Sequence, residues 1–105
     1  MDIPQLRAVF RYYDHFLGQR GIEPETNHHQ IGDTPLRHAR WMCQTALREF
    51  LPQKRVQKSV RWLGFVQGIL FMSGSFQISE LCRHVLTNGS EGDEILTKEN
   101  EDGQA

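Results

Sequence analysis

Apolar residues are densest in the run Arg61-Trp62-Leu63-Gly64-Phe65-Val66-Gln67-Gly68-Ile69-Leu70-Phe71-Met72-Ser73-Gly74. Placed at 100° per residue, they do not keep to one side. Trp62, Val66 and Ile69 share a face, while Leu63, Leu70 and Phe71 lie on others. A helix that is apolar nearly all round is a buried one, so this run is expected to form the central helix of the fold. Gly64 and Gly68 lie one turn apart, and each costs about 1 kcal/mol of helix propensity relative to alanine. That cost points to a close backbone approach, either by one of the two preceding helices or by a symmetric copy of the chain.

Upstream, Ile3, Leu6, Val9, Phe10, Tyr13, Phe16 and Leu17 recur at steps of three and four with polar residues between them, which predicts an amphipathic helix over residues 3–19. Asp2 is its expected cap, Pro4 fits its first turn, and Gly18 and Gly21 mark its end. Residues 21–33, with Pro24, Asn27, Gly32 and the pair His28-His29, read as a long surface loop. Asp33-Thr34-Pro35 signals a second helix with Leu36, Ala39, Cys43, Ala46, Leu47 and Phe50 on its inner face, ending near Leu51-Pro52. The short turn Pro52-Gln53-Lys54 makes it an antiparallel hairpin with the central helix, which begins at Lys54 or Arg55.

Gly74 ends the central helix, and Phe76 and Ile78 are expected to pack back on the fold. Ser79 caps a short last helix with Leu81, Cys82, Val85 and Leu86 inward, stopped by Asn88-Gly89. The pattern contains no strand and no internal repeat. The expected fold is therefore all-α, a small bundle of three long helices plus a short C-terminal one. Residues 1–89 form the helical domain, and 90–105 form an acidic tail too polar to join a core and disordered on its own.

The formal charge of the 105 residues is only −1, but its distribution is uneven. Arg37, Arg40, Arg48, Lys54, Arg55, Lys58 and Arg61 face Glu49 alone in the stretch 37–61, while the tail sets Glu91, Asp93, Glu94, Glu99, Glu101 and Asp102 against Lys98. Such segregation marks either an anion-facing surface or an Arg-rich solvated helix face. A chain this small with a segment apolar on all sides often covers it by pairing, so a homo-oligomer is expected. Cys43 and Cys82 stand among apolar neighbours and read as buried free thiols. The start Met1-Asp2-Ile3-Pro4 has no basic region of a signal peptide, and Gln67 and the glycines break the apolar run below bilayer length. A cytoplasmic protein with no membrane partner is expected.

The residues that could carry chemistry are few. Ser59, Ser73, Ser75 and Ser79 lack a nucleophile-elbow setting, neither cysteine sits in a nucleophile motif, and there is no phosphate-binding glycine loop or zinc-protease helix. His28 and His29 read as solvated loop residues, since adjacent histidines point apart and no ligand spacing accompanies them. We expect no enzyme, no catalytic residue, no metal and no cofactor. Candidate binding residues are better defined. Arg48, Lys54, Arg55 and Lys58 cluster at the hairpin turn, where guanidinium and ammonium groups suit phosphate or an acidic partner. Arg37, His38, Arg40 and Trp41, at the far end of the hairpin, form a secondary candidate, with Trp41 as a stacking surface or simply core. Duplex nucleic acid is the weaker partner, because the central helix is too apolar for a groove and the acidic tail competes with phosphates.

The strings Arg37-His38-Ala39-Arg40-Trp41-Met42-Cys43 and Arg61-Trp62-Leu63-Gly64-Phe65-Val66-Gln67-Gly68 resemble a pattern in small accessory proteins of tailed bacteriophages, over about residues 35–82. The resemblance transfers no site, but it implies a protein that acts stoichiometrically in the host bacterial cytoplasm. Two uses follow from it. One is an inhibitor docked on a host protein, such as one of anti-phage defence, and the other is an oligomeric sponge for a cyclic nucleotide or similar phosphate-bearing signal. A structural role in phage assembly, or one in nucleic-acid binding, is the third.

Overall fold

A computed structural model describes residues 1–26 and 34–86, and the chain is helical wherever it forms regular structure among them. Helix α1 spans Ile3–Gln19, α2 Thr34–Thr45, α3 Val56–Met72 and α4 Ile78–Leu86, and a π-helical turn at Ala46–Phe50 extends α2. His28, His29, the stop at Asn88-Gly89 and the acidic tail lie outside the described residues.

The first helix forms as its periodicity predicts. Asp2 accepts from the Gln5 backbone N–H at 2.9 Å while the Gln5 side chain accepts from the Asp2 N–H at 2.8 Å, a reciprocal capping box. The inner face of α1 is long and aromatic, with Leu6, Val9, Phe10, Tyr12, Tyr13, Phe16 and Leu17 all buried. Helices α2, α3 and α4 all pack on it. The centre of the fold is thus α1, and the expectation of a buried central helix at 61–74 is corrected. Helix α3 buries one line of residues, Ser59, Leu63, Val66 and Leu70, and leaves Val60, Phe65, Phe71 and Met72 exposed. Its all-round apolar character does not reflect all-round burial, because its neighbours lie on one side only.

Helices α2 and α3 form the expected antiparallel hairpin. Pro35 and Leu36 share a groove with Ile69 and Met72, while Phe50 lies against Trp62 at the other end. The π turn decides what enters the core there. The Leu51 N–H reaches back five residues to the Ala46 carbonyl at 3.0 Å, and the wider turn buries Ala46, Phe50 and Leu51 together. Lys54 then takes a left-handed conformation, φ 60°, which closes the turn into α3.

Three local expectations at the C-terminal end are corrected. Phe76 is buried, its ring tilted against Phe16 at 4.5 Å between centroids, but Ile78 is 58% exposed and does not pack back. Ser79 lies inside α4, whose start is secured by Glu80 accepting from the Gln77 N–H at 2.9 Å. Cys82 is exposed whereas Cys43 is buried, because α4 turns Leu81 and His84 inward and so sends residue 82 outward.

Candidate binding surface between α2 and α3

Phe50, at the end of the π turn, carries two cations. The Lys58 ammonium lies 4.5 Å and the Arg55 guanidinium carbon 5.5 Å from its ring centroid. Lys58 also reaches Trp62, 5.7 Å away. Lys58 stands one turn before Trp62 on α3, so both side chains meet the end of α2 at the same place. Cations held over aromatic faces gain about 0.5–1 kcal/mol at exposed sites.

From there the aromatic rings continue along the hairpin. Trp62 meets Phe50 edge-on at 4.6 Å and Trp41 at a tilt at 5.8 Å, and Trp41 stacks on His38 at 5.2 Å with 25° between the ring planes. Trp41, Trp62 and His38 are all half-buried. The strip His38, Trp41, Trp62, Phe50 therefore links the beginning of α2 to the basic turn. From the antiparallel hairpin alone, Trp41 is expected to be remote from Lys58. The structure instead places Trp62 between them, because the tryptophans bridge the α2–α3 seam near its middle.

The sequence-predicted residues separate into two kinds. Arg48, Lys54 and Arg55 are exposed and Lys58 is half-exposed, and none of the four forms an ion pair with a described carboxylate. Arg40 behaves otherwise. Its Nε donates to Asp14 Oδ1 at 2.9 Å, one terminal nitrogen donates to the Ile22 carbonyl at 2.7 Å, and the guanidinium lies over Gly18, where a methyl group would come within 2.9 Å of it. Gln44 donates to the same carboxylate oxygen at 3.1 Å. Arg40 is thus a clamp holding α2 on α1, and Gly18 is the space it needs. His38 is tied to the segment after α1 through Nδ1 and the Glu25 carbonyl, 3.3 Å apart, while Arg37 is exposed at the start of α2.

A second polar cluster, absent from the sequence reading, lies inside the fold. Gln67 Nε2 donates to Tyr13 Oη at 2.9 Å and to the Leu81 carbonyl at 3.2 Å, and Tyr13 Oη lies 2.7 Å from His84 Nδ1. With the Gln67 amide donating to the hydroxyl oxygen, the Tyr13 O–H donates to Nδ1 and the imidazole is the neutral tautomer. Burial pushes the Tyr13 hydroxyl well above its ordinary pKa and, aided by Arg83, lowers His84 to about 4. Tyr13 is 0% and His84 1% exposed, so these groups lock α1, α3 and α4 together away from solvent. One signal for it is present in the sequence, namely a glutamine inside the densest apolar run.

Among the described residues no three His, Cys, Asp or Glu side chains gather where a metal could be held, and no helix is long and apolar enough to cross a membrane. Comparison with family models, with curated proteins and with solved structures found no match in any of the three.

Proposed function

We propose that this chain acts by stoichiometric binding rather than catalysis, and that it engages an acidic surface of a partner protein with the basic turn and the aromatic strip beside it. The supporting observation is the group Arg48, Lys54, Arg55 and Lys58. These cations form no ion pair with a described carboxylate, and two of them are held over the Phe50 ring. Arginine and tryptophan, both present at this surface, are enriched at interface hot spots. The use that fits this surface is inhibition of a host protein by a phage accessory protein in the bacterial cytoplasm.

The test is affinity capture from the host with the wild-type chain and with Arg55→Glu/Lys58→Glu, together with calorimetric titration of cyclic dinucleotides. We expect a protein partner retained by the wild type and lost by the variant, with circular dichroism unchanged. Capture by both chains overturns the assignment of the site. Saturable nucleotide binding without turnover, lost in the variant, replaces the inhibitor with the sponge, since guanidinium forks serve phosphate as well as carboxylate.

A further inference from the structure

The outer side of α3 carries apolar surface that the fold leaves unused. Opposite the buried line of Ser59, Leu63, Val66 and Leu70 stand Gln57, Arg61, Gly64, Phe65, Gly68 and Met72, all exposed, with Phe65 at 58% and Met72 at 81%. A methyl group added at Gly64 or Gly68 would meet no atom within 4 Å, so neither α1 nor α2 crosses there and that expectation is corrected. The two glycines are the floor of a notch. On one side of it is an apolar groove of 640 Å³ between α2 and α3, lined by Leu36, Phe65, Ile69 and Met72. On the other is a groove of 480 Å³ between α3 and α4, lined by Phe71, Ile78, Leu81 and Val85.

We infer that this face is the interface with a second copy of the chain, the two α3 helices packing antiparallel across a two-fold axis level with Val66. That placement sets Gly64 of one copy against Gly68 of the other, where backbones without side chains approach closely. It also places Phe65 of each copy over the other's α2–α3 groove, as a self-complementary isologous contact requires. Charge selects the direction. Lys58 and Arg61 are the only charged residues of α3, and Lys54 and Arg55 immediately precede it. A parallel pair would stack these cations on their own copies. An antiparallel pair lays them beside the carbonyl end of the other α3, with opposed helix dipoles.

The size of the face also fits. Its 17 residues make a helix about 25 Å long, and with a groove on each side the strip is about 20–24 Å wide. That is about 500–600 Å² per copy, or 1,000–1,200 Å² in total, the threshold for a specific interface. The apolar face itself does not include the basic turn, which lies at the outer end of each helix and enters only the choice of direction.

Sedimentation equilibrium of the full chain tests it. The wild type should be a dimer with a dissociation constant at or below about 10 μM. Gly68→Leu, which fills the notch, and Met72→Glu, which charges the rim without touching a glycine, should each weaken the dimer at least about tenfold, with no loss of thermal stability in the monomer. In a Cys82→Ser background, Gln57→Cys and Ser75→Cys chains should oxidise to a mixed disulfide dimer, and Gln57→Cys alone should not. A wild type that stays monomeric to about 100 μM overturns the inference and leaves the face to residues 87–105 or to a different protein. A dimer indifferent to both substitutions also overturns it, and a disulfide between two Gln57→Cys chains overturns the antiparallel arrangement.

Discussion

Helix α3 has two sides of similar composition and opposite treatment. Its inner side buries Leu63, Val66 and Leu70 against α1 and α2, and Gln67 beside them satisfies its amide on Tyr13 and the Leu81 carbonyl. Its outer side exposes Phe65, Phe71 and Met72, with two glycines where side chains would otherwise fill the surface. The inner side shows what stabilises this fold, namely apolar burial fastened by one buried polar network. The outer side costs helix propensity and leaves apolar area in water, which a chain tolerates where another surface covers it. Apolar density alone does not separate the two.

The largest separation between the two sides should come from truncation. Leu70→Ala should destabilise by about 2–5 kcal/mol, because it opens a cavity in the core, while Phe65→Ser should change monomer stability by less than about 0.5 kcal/mol. Urea unfolding at concentrations that hold the chain monomeric compares them directly. Equal costs would erase the distinction.

The polar lock on the inner side should appear as a pH dependence. His84 is held neutral in the fold with its pKa lowered to about 4, against 6.5 in the unfolded chain. Between those values the unfolded state takes up the proton and the native state does not. The stability this neutrality preserves is therefore whole above pH 6.5 and is lost as pH falls toward 4, by about 3 kcal/mol. Unfolding midpoints measured across that range should slope downward toward acid, and His84→Gln should flatten the slope. An unchanged slope would place the titrating group elsewhere.

The smallest effect runs the other way. Gly64→Ala and Gly68→Ala should each raise monomer stability by up to about 1 kcal/mol, since the added methyl groups meet nothing within 4 Å and alanine favours the helix. Thermal unfolding of the dilute proteins reads this. A loss of stability would mean that the outer side is already engaged within one chain.

Much of the fold is legible in the residues themselves. The three-and-four spacing of α1, its Asp2 cap, the Pro35 start of α2 and the stop at Gly74 are local signals, each set by backbone geometry within a turn or two. The basic turn is legible too, because Arg48, Lys54, Arg55 and Lys58 are close in sequence. The role of Arg40, a member of the secondary candidate group, is not legible there. Whether a guanidinium faces solvent or a carboxylate depends on Asp14, twenty-six residues away and on another helix.

By itself, then, the sequence determined the helices, their ends other than those of α4, and the charge along them, because those follow from propensity, capping and periodicity within short windows. Only the tertiary structure decided that α1 rather than α3 is the centre, that Tyr13, Gln67 and His84 form one network, and that Trp41 and Lys58 share one aromatic strip. Those outcomes depend on which helix faces meet. A helix apolar on every side is compatible with several such meetings, and the neighbours it acquires choose the side that is buried.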